Sequence, residues 1–174
     1  VYVRGYAMTP AEIADAVSSP YMGFNVGATK LRQAWDGQVR RHVFESPLVR
    51  LMKDCGYRDI YTDGTEIIGP VPARSVVIYR YYDNADPDLG TGKAPSIVAA
   101  AEGLRDLVHR LRVQVCGDDA EALAGFKVHL VAHSMGGLVC RCFLQNDAVS
   151  TPADRALVDK VFTYATPHNG IKMA

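Results

Sequence analysis

The stretch Lys127-Val128-His129-Leu130-Val131-Ala132-His133-Ser134-Met135-Gly136-Gly137 sets a potential nucleophile between an apolar run and a helical pattern. A serine hydroxyl attacks a carbonyl only when it is held out sharply, given a base, and faced by donors for the developing oxyanion. A strand-to-helix turn supplies two of these three. It lifts Ser134 above the strand ends, and the new helix offers the Met135 backbone N–H, aided by the helix dipole. Such a turn demands small residues two before and two after the serine, because strand and helix backbones meet there. Ala132 and Gly136 meet that demand.

Other chemistry-bearing residues have weaker settings. Gly90-Thr91-Gly92-Lys93 hints at a phosphate loop, but Pro87 stands where its first glycine belongs and Ala94 where Ser or Thr should follow. Asp86 and Asp88 could open a calcium loop, but Gly90 occupies the next ligand position and no closing glutamate follows. A plain surface loop is expected. Cys55, Cys116, Cys140 and Cys142 form no Cys-x-x-Cys pair and match no zinc module. They are expected to be buried free thiols in a reducing compartment, which favours the cytoplasm. His129 is expected to be a satisfied core histidine, and His42 and His109 to lie on helix surfaces without acidic partners.

The elements that must position Ser134 can be read from periodicity. Val1–Tyr6 reads as a strand, and Thr9-Pro10-Ala11-Glu12 starts a helix over about residues 10–18. Leu31, Ala34, Trp35, Val39 and Val43 predict a helix or two, with Lys30, Arg32, Arg40 and Arg41 on a solvated face. Ser46-Pro47 opens another helix that Gly56 stops. Arg58–Tyr61 predicts a short edge strand, and Ser75–Tyr82 a longer β-rich one. Pro95-Ser96 opens a long helix to about Val115 with an apolar stripe at three- and four-residue steps. A helix follows Ser134, a shorter one starts at Thr151-Pro152, and Lys160–Ala165 is a final strand. Alternating strands and helices predict an α/β fold, a mostly parallel central sheet with helices on both faces. Residues 1–174 read as a single domain, with 20–74 a partly helical elaboration.

Composition bounds the partners. The 174 residues carry 19 Lys and Arg against 19 Asp and Glu, which makes no electrostatic case for nucleic acid or an anionic membrane as the main partner. No apolar run approaches the roughly 18 residues of a transmembrane helix. Oligomeric state has no signature in the sequence.

Ala132-His133-Ser134-Met135-Gly136-Gly137 resembles the nucleophile elbow of the serine α/β-hydrolases, especially lipases and esterases, with Ala132 in place of the first glycine of G-x-S-x-G. Tyr164-Ala165-Thr166-Pro167-His168-Asn169-Gly170 resembles the segment after the next sheet strand in many such lipases, where the histidine is structural and locally hydrogen-bonded. Val1–Tyr6 would end in the family's oxyanion loop, with Arg4-Gly5 where His-Gly is usual. By this resemblance the Tyr6 backbone N–H is the second oxyanion donor beside that of Met135. It implies a carboxylic-ester hydrolase working through a Ser134 acyl-enzyme on a small-molecule or lipid ester, without metal or cofactor. An acyltransferase on the same scaffold and a non-catalytic, hydrolase-like binding domain are the alternatives. The family order is serine, acid, histidine. No Asp or Glu follows Asp159, and the only later histidine is His168. The catalytic acid and base are therefore unassigned, and they are expected in a longer hydrolase of which this chain is part, unless the domain is not a competent one.

Overall fold

The computed structural model describes residues 1–5, 13, 28–33, 35–44, 47–60 and 69–170. Tyr6 and, apart from Ile13, the helix expected over residues 10–18 lie outside them.

The centre is a four-stranded parallel sheet. Its members are β1 (Tyr2–Val3), β6 (Ile78–Tyr79), β7 (Val128–His133) and β8 (Val158–Tyr164), in the order β6-β1-β7-β8. β5 (Ser75–Val76) leads into β6 through Val77, whose carbonyl accepts from the Tyr2 N–H at 2.7 Å. β4 (Arg58–Asp59) pairs with β5 in parallel, as the edge strand expected there.

Period-two alternation along β7 divides the core into two layers. Val128, Leu130 and Ala132 belong to the larger cluster, where they meet Ala101, Leu104 and Val108 of α2 (Ile97–Cys116) and Val139 and Phe143 of α4 (Gly136–Gln145). Val131 faces the other way, against Tyr2, Ile78 and Leu48 of α1 (Pro47–Cys55). The crossovers β6-to-β7 and β7-to-β8 step in the same direction. A common handedness therefore puts α2 and α4 on one face, where they pack against each other. Helices thus cover both faces. Among the described residues β8 forms the sheet edge, with Val161, Phe162 and Tyr164 exposed.

Local chemistry explains the helix ends. The Ser96 hydroxyl accepts from Ala99 N–H at 3.1 Å to start α2, and Gly117, at φ 56°, ends it. Thr151 and Asp154 form a reciprocal capping box on α5 (Pro152–Arg155). α3 (Ala120–Gly125) begins at Asp119, whose side chain accepts from Glu121 and Ala122 N–H.

Two sequence-based expectations are corrected. The helices expected between Leu31 and Val43 are an antiparallel hairpin, β2 (Ala28–Gln33) and β3 (Val39–Phe44). The four-residue spacing of Leu31, Trp35, Val39 and Val43 is a coincidence of two strands folded back on each other, and Gly37, at φ 80°, sits in the turn that no helix would accept. The β-rich run to Tyr82 stops at Tyr79, and Tyr81–Ala85 form a 3-10 turn instead. The Asp86–Lys93 segment is a surface loop organised by Asn84, which bonds Thr91 N–H and the Lys93 carbonyl.

Candidate active site

β7 ends at His133, and the chain turns into α4 through Ser134 and Met135. Ser134 adopts φ 51°, a left-handed conformation that costs a non-glycine residue roughly 1–2 kcal/mol and is kept only where neighbours enforce it. The neighbours do so. Ser134 N–H donates to the Tyr164 carbonyl of β8 at 2.8 Å, and the Ser134 carbonyl accepts from Gly137 N–H at 3.1 Å. The Met135 carbonyl takes Leu138 N–H at 2.9 Å and Val139 N–H at 3.2 Å. Among the described residues nothing accepts from the Met135 N–H, a free donor at the N-terminus of α4.

Three glycines bring the flanking chains onto this turn. A Cβ on Gly5 would lie 2.8 Å from both Ser134 Cβ and His133 Nδ1, so the chain leaving β1 runs directly against the serine. A Cβ on Gly136 would lie 2.3 Å from the Val3 and Arg4 carbonyl oxygens, and one on Gly137 2.2 Å from Thr166 Oγ1. The first turn of α4 is thus wedged between the end of β1 and the loop after β8. That Gly136 is a steric necessity follows from the tight-turn argument. That Gly137 is one follows only from the fold.

The site also sits where the sheet's connections diverge. The chain leaving β1 leads to β6 on one side, and the chain leaving β7 leads to β8 on the other. The crevice beyond the carboxyl ends of such a strand pair is the general ligand position of open α/β sheets. Gly5 and Ser134 lie together at these strand ends.

The end of β1 is anchored by groups that sequence reasoning misses. Tyr81 Oη donates to the Arg4 carbonyl at 2.9 Å in a buried position, its ring held between Tyr79 and Tyr82 with centroids at 5.3 and 4.4 Å. The Arg4 side chain is buried and reaches Asp83 at 3.5 Å, and Asp83 also pairs with Arg80 at 2.5 Å. Burial pushes the Asp83 carboxyl above its ordinary value, against the pull of Arg80 and Arg4, and lowers the Arg4 guanidinium. The only signal was the interleaving of rings and charges in Tyr79-Arg80-Tyr81-Tyr82-Asp83, which the strand reading absorbed.

The histidines separate. Burial holds His133 below the ordinary imidazole value, so it is neutral at pH 7. His168 Nε2 lies 3.3 Å from Thr163 Oγ1, and its carbonyl accepts from Arg141 at 2.7 Å, so this ring is tied locally. The loop carrying it follows Ala165, at φ 50° a second left-handed residue. His129 is no core histidine: it is exposed and lies 3.5 Å from Asp159, because odd positions of β7 face away from the main core. It precedes Ser134 by five residues, roughly 16 Å along a strand. His109, expected without an acid, contacts Asp154 at 2.6 Å, since α5 docks beside α2. His42 lies in β3 rather than on a helix. Among the described residues, no side chain hydrogen-bonds the Ser134 hydroxyl. All four cysteines are free, but only Cys140 is fully buried, and Cys55 is exposed at the end of α1.

Compared with known proteins, the chain matches no family model, no curated protein and no solved structure.

Proposed function

We propose that Ser134 is the nucleophile of a carboxylic-ester hydrolase of the serine α/β-hydrolase type, acting through an acyl-enzyme. The observation that carries this reading is a non-glycine residue at φ 51° between a parallel strand and a helix, at the point where the sheet's connections diverge. The strained turn holds the hydroxyl at the strand ends, and the Met135 N–H, which no described residue accepts from, is the donor proposed for the oxyanion formed on the carbonyl that Ser134 attacks. The resemblance puts the second donor at the Tyr6 N–H, which lies outside the described residues; Gly5, one residue before it, packs against Ser134.

A fluorophosphonate probe tests the assignment on the full-length protein, because it reacts with activated serines. Stoichiometric labelling that maps to Ser134 and vanishes in Ser134→Ala is the expected result. No labelling, or labelling that survives the substitution, overturns the proposal. Product analysis with competing alcohols then separates hydrolysis from acyl transfer.

A further inference from the structure

The β2–β3 hairpin has a charge unlike that of the neutral chain. Residues 28–44 contain Lys30, Arg32, Arg40, Arg41 and His42 against one acid, Asp36. The antiparallel register pairs Lys30 with His42 and Arg32 with Arg40. Strand alternation puts these four positions on one face of the ribbon, with Arg41 opposite Leu31 on the other. The turn is well formed: Gly37 has φ 80°, Asp36 accepts from Gln38 N–H at 3.1 Å, and Gln33 Nε2 donates to the Gly37 carbonyl at 3.3 Å. At this tip Trp35 is 98 % exposed and Val39 64 % exposed. Among the described residues the two strands pair only with each other.

We propose that the hairpin docks the protein onto an anionic lipid surface, with Trp35 and Val39 entering the headgroup boundary and the flanking basic residues meeting lipid phosphates. An indole is amphipathic and favours the membrane–water interface, where its ring leaves water and its N–H keeps a polar partner. Lys and Arg beside it gain from the negative surface potential of an anionic leaflet, each by a factor of about five in partitioning. Single-stranded nucleic acid would want aromatic rings repeated along the basic track, so that successive bases stack. Here the exposed ring stands at the tip, beyond the paired basic positions. The proposal needs no activity at Ser134, so it and the hydrolase reading fail independently.

Trp35 is the chain's only tryptophan, so its emission reports on this contact alone. Vesicles of phosphatidylcholine with phosphatidylglycerol, in about 0.1 M salt, should shift the emission to the blue, and brominated lipid should quench it. Both effects should disappear near 1 M salt, where the screening length falls to about 3 Å. The pair Arg32→Gln and Arg40→Gln should lower partitioning roughly thirtyfold, as should Lys30→Gln with Arg40→Gln. Far-UV circular dichroism checks that the variants keep the fold. An unshifted emission with anionic vesicles overturns the proposal. So does equal partitioning to vesicles of phosphatidylcholine alone, unchanged partitioning in both double variants, or a shift produced only by a single-stranded oligonucleotide.

Discussion

Replacing Gly136 with alanine tests the close packing on which the candidate site depends. The added methyl would lie 2.3 Å from two backbone oxygens, of Val3 and Arg4, and 2.8 Å from the Val3 carbonyl carbon. Carbon–oxygen contacts of the closest favourable kind begin near 3.3 Å, so about 1 Å must open between α4 and the end of β1. Neither side yields easily. β1 is paired along both edges, the Arg4 carbonyl is held by Tyr81, and α4 is fixed by buried Val139, Cys140 and Phe143. Overpacking of this kind costs about 1–3 kcal/mol, while the better helix propensity of alanine returns at most about 1 kcal/mol. A net loss of about 1–2 kcal/mol lowers the melting temperature of a chain this size by about 2–8 °C. The same displacement carries the Met135 N–H with it, and a shift near 1 Å lowers a reaction rate by about 100-fold. Thermal melts and the rate of fluorophosphonate labelling read the two effects. Gly137→Ala supplies the contrast, because its methyl meets mainly a side chain, Thr166 Oγ1 at 2.2 Å and Cγ2 at 2.5 Å. Adding Thr166→Ala should recover at least about 1 kcal/mol there and nothing in Gly136→Ala. A Gly136→Ala protein that melts and labels like the parent would refute the reasoning.

Two further measurements address the rest of the fold. Asp154 accepts from the Thr151 N–H and hydroxyl and contacts His109, which together hold its carboxyl at about 2, down from 3.8. A depressed carboxylate contributes stability that is complete above its unfolded value and is lost as pH falls through the folded one. The urea midpoint should therefore exceed that of Asp154→Asn at neutral pH, the gap closing between pH 3.8 and about 2; a gap constant across that window would contradict the argument. For the thiols, burial pushes Cys140 up to about 12, while Cys55 is exposed. Ellman's reagent at pH 8 should modify Cys55 in the native protein and Cys140 only after denaturation, which peptide mapping would check.

Much of the framework was legible because it rests on short-range rules. The α2 stripe and the helix starts at Ser96 and Thr151 depend on residues within a few positions of one another, and each stands where its spacing implied. The strand-serine-helix order around Ser134 was readable for the same reason. The hairpin was not, because helical and folded-back readings of Leu31, Trp35, Val39 and Val43 share a four-residue period, and only cross-strand pairing separates them. His129 and His109 were misread because their acids, Asp159 and Asp154, come from elements 30 and 45 residues away.

By itself, the amino-acid sequence determined that Ser134 stands on a strand-to-helix turn between small residues, and that the chain is of the α/β kind. Only the tertiary structure decided what presses on that turn. β1 arrives from more than 120 residues upstream with Gly5 against the serine, the loop after β8 arrives with Thr166 against Gly137, and Tyr81 holds the Arg4 carbonyl from a third segment. Left-handed strain at one residue is a local property, but it persists only because these distant chains meet around it, and no local pattern encodes their meeting.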